Sequence, residues 1–322
     1  MSRLFTFLLI PGFSMMDFAA VAEPLRSANR MGGDLYRWRT ISQDGQPVAA
    51  SNGMSIAVDG ALLDLGPEDT LIIVAAYEPM ASISAPLTPW LRRQDKAGVT
   101  LGGIDTGAFV LAHAGLMKGY RMTVHWEAID AFLESYPGLQ VSHELYEIDQ
   151  RRLTSAGGTA SMDLMLELIA QAHGSELALK VAEQFVHGPI RARQVLQRLE
   201  APKRYNFTNR KIHAVIERIE QNLEKDMDVD DLARGVCVTR RHLERLFRAT
   251  VQASPAEFRQ RLRLDKARQL LQQSDLTILQ ISVACGYESP SYFARCYKER
   301  FKCTPRQDRA ILTGRCSPAQ AQ

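Results

Sequence analysis

Cysteine is absent from the chain until Cys237, and the remaining four cysteines all lie beyond it. Without a thiol, the amino-terminal part cannot use a thiolate nucleophile. The total of five is odd, no two cysteines form a CxxC motif, and no histidine lies at zinc-finger spacing. We therefore expect buried or incidental thiols in a reducing cytoplasm, rather than disulfides or a metal site.

Long hydrophobic runs are also missing. No apolar stretch reaches the roughly 18–20 residues that a membrane span needs, so no membrane partner is predicted. The segment RLFTFLLIPGF, residues 3–13, lacks the basic region and the cleavage site of a signal peptide, and it indicates a buried strand followed by a turn. The glycine pairs at residues 102–103 and 157–158 form neither a GxGxxG nor a P-loop pattern, so no nucleotide or other cofactor is predicted.

Charge is unevenly distributed over the 322 residues. Residues 1–202 hold 16 Lys and Arg against 22 Asp and Glu, a net charge of −6, whereas residues 203–322 hold 23 against 14, a net charge of +9. A basic segment joined to an acidic one is typical of a nucleic-acid reader coupled to a different module. The alternative is a merely solvated basic face.

Strand-like and helix-like segments alternate along the first part of the chain. LFTFLLI and TLIIVAA read as buried strands, and VTLGGIDTGAFVLAHAGL reads as strand, turn and helix. This alternation predicts a doubly wound, flavodoxin-like α/β sensor domain with a mostly parallel sheet over residues 1–188. The pattern breaks over residues 189–208, which we interpret as a linker, and residues 209–322 are predicted to be all-α.

The carboxyl-terminal third contains one unit twice, as LERLFRATVQASPAEFR and FARCYKERFKCTPRQDR. Each copy follows a short apolar helix and a turn, so each predicts a helix-turn-helix. Thr239 and Ser289 are placed to cap the second helices, and the second turn is one residue longer than the first. A long helix over residues 255–274 is predicted to connect the two units.

Polar side chains near the start of a recognition helix can reach base edges or phosphates. In the first unit the candidate DNA-binding residues are Arg240, Arg241, His242, Arg245 and Arg248. In the second unit they are Ser289, Ser291, Tyr292, Arg295, Lys298 and Arg300. Arg245 and Arg295 occupy the same place in the repeat, so a shared structural role such as a buried pair remains the alternative for them.

The segments RRHLERLF, SPAEF, RLRLDKARQLL, ISVACGYESPSYFARCYKERF and TPRQDR resemble the DNA-binding domain of AraC-family transcription regulators over residues 212–309. The resemblance implies binding to double-stranded promoter DNA, a homodimer, and RNA polymerase as a further candidate partner. The family's usual glycine is replaced by Gln252 and Lys302, and its usual aromatic–arginine ending by Asp308 and Arg309. These departures concern local turn geometry.

The strand–turn–helix around Asp105 indicates a nucleophile elbow, in which a sharp turn presents one side chain above a helix amino terminus. Together with IPGF, YRMTVHWEAIDAF and RRLTSAGGTASMDLMLELIA, it resembles the PfpI-like, type-1 glutamine-amidotransferase-like domain over residues 3–186. Catalytic members of that family carry cysteine at the elbow and a histidine at the segment that is His125-Trp126 here. Because Asp105 replaces the cysteine, we predict a retired active site that binds a small molecule and is not an enzyme.

Carboxylates that face a pocket favour a cation. Trp126, and alternatively Trp38 or Tyr77, is expected to supply an aromatic wall for it, while three hydroxyls donate hydrogen bonds to a ligand carboxylate. The predicted ligand-binding residues are Asp17, Glu23, Asp105, Thr106, His125, Trp126, Ser155 and Thr159. The pattern, with the resemblance, indicates an effector such as glycine betaine, carnitine or arginine. Alternatively, Asp105 and Asp17 only cap helices and His125 is only packed.

These observations predict a one-component transcription activator, in which an effector shifts an equilibrium between inactive and DNA-competent arrangements. Two other classes stay open. One is a hydrolase or amidotransferase-like enzyme with DNA binding attached, whose turnover Asp105→Asn would abolish. The other is an architectural DNA binder that responds to no metabolite.

Overall fold

A computed structural model describes residues 2–197, 209–225, 227–274 and 276–312. The chain divides into two compact units, Met1–Gln197 and Arg198–Gln322. The first unit therefore includes residues 189–197 of the predicted linker, and the remainder of that linker, residues 198–208, lies outside the described residues. Among the residues described, no helix is both long enough and apolar enough to cross a membrane.

The first unit is built on a six-stranded sheet. Its strands and those of two short pairs are β1 (Arg3–Leu9), β2 (Tyr36–Ile41), β3 (Val48–Ala49), β4 (Ser55–Ile56), β5 (Thr70–Ala75), β6 (Thr100–Asp105), β7 (Arg121–Met122), β8 (Gln140–Val141), β9 (Tyr146–Asp149) and β10 (Arg152–Ser155). The main sheet has the order β2-β1-β5-β6-β10-β9, and all neighbours are parallel except the pair formed by β9 and β10. The predicted doubly wound α/β fold is confirmed.

Helices cover both faces of this sheet. They are α1 (Met15–Gly32), α2 (Leu87–Lys96), α3 (Gly107–His113), α4 (Ile129–Ser135), α5 (Thr159–His173) and α6 (Ser175–Gln184). Residues of α1, α5 and α6 share one core with Phe5, Phe7 and Leu9 of β1, while α3 packs against β5 and β6 and α2 packs against α3. All six residues of β5 are buried, as expected of a strand covered on both sides.

The described part of the second unit is helical. Its elements are α7 (Arg210–Gln221), α8 (Val229–Gly235), α9 (Arg240–Val251), α10 (Pro255–Gln273), α11 (Ile278–Ala284), α12 (Pro290–Phe301) and α13 (Pro305–Leu312). The pairs α8–α9 and α11–α12 are the two predicted helix-turn-helix units, and α10 is the predicted connecting helix. The turn over residues 285–289 is one residue longer than the turn over residues 236–239, as the sequence predicts.

Each recognition helix buries one apolar face and exposes the other. Leu243 and Phe247 of α9 are fully buried, as are Phe293 and Tyr297 of α12. Val283 of α11 is 63% exposed and does not belong to the buried face of that helix. On α11, the buried positions are those of Ile281 and Ser282.

The departures from the usual family sequence have local structural roles. Gln252 and Lys302 end α9 and α12 in the left-handed conformation, with φ of 57° and 63°, where glycine is ordinarily favoured. The buried carboxyl of Asp308 accepts a 2.6 Å hydrogen bond from the Tyr297 hydroxyl and pairs with Arg268 at 3.0 Å.

Candidate functional site

The predicted elbow lies between β6 and α3. Asp105 ends the strand with φ of 58°, a left-handed conformation that is uncommon for a residue with a side chain. Small residues permit the tight turn, since a Cβ added at Gly103 would lie 2.6 Å from the backbone nitrogen of Ala108. The carboxyl of Asp105 is thereby held at the carboxyl-terminal edge of the parallel sheet, the usual location of ligand sites in such folds.

Asp17 is the acid that meets Asp105. Its side chain is only 2% exposed, accepts a hydrogen bond from the backbone N–H of Gly158, and is hydrogen-bonded to Asp105. Ser14 rather than Asp17 caps α1, by accepting from the Asp17 backbone, and Thr106, at the N-cap position of α3, makes no side-chain capping bond. Two carboxyl groups therefore share one site where the start of α1, the end of β6 and the start of α5 meet.

The two carboxyls change each other's pKa. Burial and the neighbouring Asp17 charge raise the pKa of Asp105 well above its usual value. Burial also raises the pKa of Asp17, although the hydrogen bonds from Gly158 and Asp105 oppose that rise. Of the two carboxyls, Asp105 is therefore the one whose protonated form this site favours more strongly.

Glu127 is a third acid that sequence reasoning missed. Its charge contributes to the raised pKa of Asp105, and its carboxylate lies 3.9 Å from Nδ1 of His125. The ring of His125 lies 5.5 Å from that of Trp126, and burial lowers the pKa of His125. The predicted His-Trp segment thus approaches the acid pair through Glu127, the residue directly after it, and that adjacency was the available signal.

Other predicted residues lie apart from the acid pair. Glu23 pairs with Arg26 at 2.7 Å on the surface of α1, with its side chain 44% exposed. Trp38 lies within the edge strand β2, opposite Phe5 near the start of β1, so it is not at the carboxyl-terminal edge. Tyr77 follows β5 at that edge and is 60% exposed. Of the three predicted aromatic residues, Trp126 and Tyr77 therefore remain candidates for the wall of the site.

The three predicted hydroxyl donors already have protein partners. Thr106 donates to the carbonyl of Ala76, and the buried hydroxyl of Ser155 lies 3.1 Å from that of Ser161. Thr159, at the start of α5, accepts a 2.7 Å hydrogen bond from Arg191. Because Thr159 is exposed and acts there as an acceptor, its own O–H stays available for donation.

Residues 187–197, which we call the strap, fold back onto the first unit. The fully buried carboxylate of Asp163 on α5 is held by Arg191 at 2.6 Å and by His187 at 3.1 Å. Farther along, Arg193 pairs with Glu147 at 3.5 Å and Gln197 donates to Thr123 at 2.8 Å. The strap therefore contacts α5 in the turn that begins at Gly158, next to the acid pair.

Helix α9 presents four of its predicted DNA-binding residues at the surface. Thr239 caps it by accepting from the His242 backbone. Arg240 is engaged with Glu244 at 3.1 Å and Asp230 at 3.4 Å, whereas Arg241 and Arg248 are exposed. Arg245 is exposed and donates to His242 at 3.2 Å, so it is not part of a buried pair.

Helix α12 is arranged in the same way. Ser289 caps it through the Tyr292 backbone, and Ser291, Arg295 and Lys298 are exposed. The Arg295 guanidinium lies 5.2 Å from the centre of the Tyr292 ring. Arg300 instead pairs with Asp265 of α10 at 2.7 Å.

Comparison with known proteins connects these two sites to a family. The model of the DJ-1/PfpI family matches residues 5–171, and a model described as a helix-turn-helix domain matches residues 232–311. HTH-type transcriptional regulator CdhR of Pseudomonas aeruginosa is 58% identical over 97% of this chain and 93% of its own length. The chain belongs to the AraC family of transcription regulators and carries a DJ-1/PfpI domain.

Further relatives agree with this assignment. HTH-type transcriptional regulator GbdR of the same species is 39% identical over 94% of this chain and 83% of its own length. A crystal structure of an AraC family transcriptional regulator from Pseudomonas putida is 26% identical, with a TM-score of 0.52 over 57% of this chain and 99% of its own. The regulator described here is thus a DNA-binding transcription regulator of AraC type.

Proposed function

We propose that this regulator binds a small cationic or zwitterionic nitrogen compound of the betaine, carnitine or arginine class in its α/β unit. The observation that carries the proposal is the pair formed by Asp17 and Asp105, two hydrogen-bonded carboxyls at the carboxyl-terminal edge of the sheet. A proton shared between them would neutralise only one of their two negative charges. A guanidinium or quaternary ammonium group would replace that proton and relieve the repulsion.

The surroundings of the pair suit such a ligand. Glu127 adds negative charge, and the neutral His125 with Trp126 provides an aromatic surface that a cation can approach. For the carboxylate end of a zwitterion, we expect Thr159 to be the donor rather than Thr106, whose hydroxyl proton is committed to Ala76. The ligand would thus span the elbow and the start of α5.

We propose that the α/β unit is not catalytic. No cysteine precedes Cys237, and burial and the charge of Asp17 raise the pKa of the elbow residue Asp105 and so favour its neutral form. A neutral carboxyl is a poor nucleophile, and its partner here is another acid rather than a base that would remove the proton.

We further propose that the regulator acts in the cytoplasm as a homodimer on promoter operators, and that it activates transcription through contact with RNA polymerase. Two helix-turn-helix units per chain would give a dimer four recognition helices on tandem half-sites. Effector binding would shift the population of the DNA-competent arrangement.

Thermal unfolding of the full chain with glycine betaine, carnitine and arginine, each at about 100 times its dissociation constant or at the solubility limit, tests the effector proposal. One of these compounds should raise the transition of the α/β unit, since such saturation adds about 2.7 kcal/mol. Asp105→Ala should abolish the shift. Glu23→Ala, which removes a carboxylate from the surface of the same unit, should retain it. A shift that survives Asp105→Ala, or none with any of the three, contradicts the proposal.

A further inference from the structure

We propose that Arg263, together with Gly286, fixes the angle and distance between the two helix-turn-helix units, so that the chain reads two DNA segments at one helical spacing. Arg263 is a positioning residue in this proposal, because it acts through the placement of α9 and α12. The proposal concerns the DNA-binding unit alone and does not depend on the effector.

Arg263 is a buried cation that joins α10 to the loop between α7 and α8. Arg263 is only 9% exposed. Its guanidinium donates to the carbonyls of Leu223 at 2.5 Å, Glu224 at 3.2 Å and Lys225 at 3.2 Å. These carbonyls follow the end of α7. The apolar face of α7 shares one core with α8 and α9, the first helix-turn-helix unit. The rigid fork of an arginine is suited to holding three separate acceptors at once.

The Arg263 guanidinium also contacts the second helix-turn-helix unit, α11–α12. It lies 5.8 Å from the centre of the ring of Tyr287, which belongs to the turn between α11 and α12. A cation near an aromatic ring is attracted electrostatically, and more strongly when both are removed from water. One side chain therefore contacts both the loop that follows α7 and the turn of the second helix-turn-helix unit.

Gly286 shows how close this junction is. A Cβ added there would lie 2.5 Å from the Glu224 carbonyl oxygen and 2.7 Å from Arg263 Nη2. The backbone conformation alone does not demand glycine, since Cys237 has φ of 54° at the matching position of the first turn, two residues past the helix end. Glycine is required in the second turn because Glu224, in the loop that follows α7, lies against it.

Further contacts extend the junction to the recognition helix α12. Lys266 of α10 pairs with Glu224 at 3.0 Å, Asp265 of α10 pairs with Arg300 of α12 at 2.7 Å, and Gln260 of α10 donates to Cys296 of α12 at 2.9 Å. A rotation of α10 and α12 together, relative to the first helix-turn-helix unit, would break the hydrogen bonds from Arg263 to the loop after α7. Because one base pair turns B-DNA by about 34–36°, a fixed junction is sensitive to a single inserted base pair.

The test uses the full-length chain and a DNA duplex that the wild-type chain selects from a random pool, with the two contacted segments located by footprinting. A second duplex carries one extra base pair between those segments. We expect the wild-type chain to bind the second duplex at least about tenfold more weakly, in the range of a mismatch penalty. For R263Q, the ratio of the two dissociation constants should fall below about threefold, because a loosened junction accommodates both spacings.

R268Q is the matched control, since Arg268 lies on the same helix but pairs with Asp308 and does not join the two units through that pair. It should keep the wild-type ratio. If R263Q weakens both duplexes equally, Arg263 is merely structural and the proposal is overturned. Should R263Q fail to unfold cooperatively, R263K and Gly286→Ala carry the same comparison, and retention of the wild-type ratio by both overturns it.

Discussion

Asp105 shows how much one residue determines at the proposed ligand site and where the sequence stops being informative. The small residues around it predicted the elbow, and its carboxyl excluded thiolate chemistry. The sequence offered both Asp17 and Glu23 as its partner, and only the fold selected Asp17, since Glu23 pairs with Arg26 at the surface. Glu127 was missed because its approach to Asp105 depends on the position of a loop.

Asp105→Asn should stabilise the α/β unit increasingly as the pH rises. The pKa of Asp105 is raised above its usual value of 3.8 in the folded state, so its contribution to folding is present below that value and is lost as the pH rises through the folded pKa. Asparagine keeps a donor toward Asp17 and does not titrate. Urea unfolding at several pH values from about 5 to about 8, followed by tryptophan fluorescence, measures the difference.

Tryptophan fluorescence isolates this unit because the three tryptophans, Trp38, Trp90 and Trp126, all lie within it. Glu23→Gln makes the same chemical change at an exposed position and should show no such trend. A difference between wild type and Asp105→Asn that stays constant over the pH range would contradict the raised pKa of Asp105.

Gln252→Gly should stabilise the DNA-binding unit. Gln252 is exposed and holds φ of 57° at the end of α9, and a left-handed residue with a Cβ costs about 1–2 kcal/mol. Glycine removes that cost but adds unfolded-state entropy, which leaves a gain of roughly 0.5–1 kcal/mol. In thermal unfolding followed by circular dichroism, the helical signal should be lost at a higher temperature. The transition followed by tryptophan fluorescence should not change. Gln252→Ala, which keeps the Cβ, should give no gain.

At the scale of elements, the sequence predicted most of the principal strands and helices, because their apolar residues follow periods of two or 3.6. It did not predict that residues 189–197 pack on the α/β unit. Arg191 and Asp163 meet only because the strap crosses the start of α5, and no periodic pattern marks a pairing of that kind. The boundary of the unit therefore comes from long-range contacts.

A fragment ending at Gln197 should be more stable than one ending at Gly188. The shorter fragment lacks Arg191 and leaves the fully buried Asp163 without its guanidinium, a loss of about 3–5 kcal/mol for a buried ion pair. Urea midpoints by tryptophan fluorescence compare the two. Asp163→Asn in the shorter fragment should recover part of the loss, because it removes the unpaired charge. Equal midpoints would show that the strap contributes nothing.

For the molecule as a whole, the charge asymmetry separates two tasks. Residues 203–322 carry a net charge of +9 and include both recognition helices, whereas residues 1–202 carry −6 and include the acid pair of Asp17 and Asp105. Binding to DNA releases counterions from the phosphates. The full chain should therefore lose affinity for DNA steeply as the salt concentration rises.

Arg241→Ala should weaken binding of the full chain to its selected duplex by about 1–3 kcal/mol if Arg241 reads a base, with relaxed specificity at that position. Arg241 is exposed and, among the described residues, has no ion-pair partner. Arg234→Ala is the control, since Arg234 lies on the supporting helix α8 and pairs with Asp231. Titrations at several salt concentrations distinguish the roles. A phosphate contact would weaken every sequence alike and lower the salt slope by about one, and an unchanged affinity would remove Arg241 from the interface.

The sequence by itself determined the two architectures, the repeat of the helix-turn-helix, the elbow at Asp105 and the absence of a thiol beside it. These features are local, since they depend on periodicity, capping and residue type over short windows. Only the tertiary structure decided that Asp17 is hydrogen-bonded to Asp105, that the strap holds Asp163, and that Arg263 contacts both the loop after α7 and the turn of the second helix-turn-helix unit. Each of these joins groups far apart in the chain, where burial and charge balance, rather than local pattern, determine the energy.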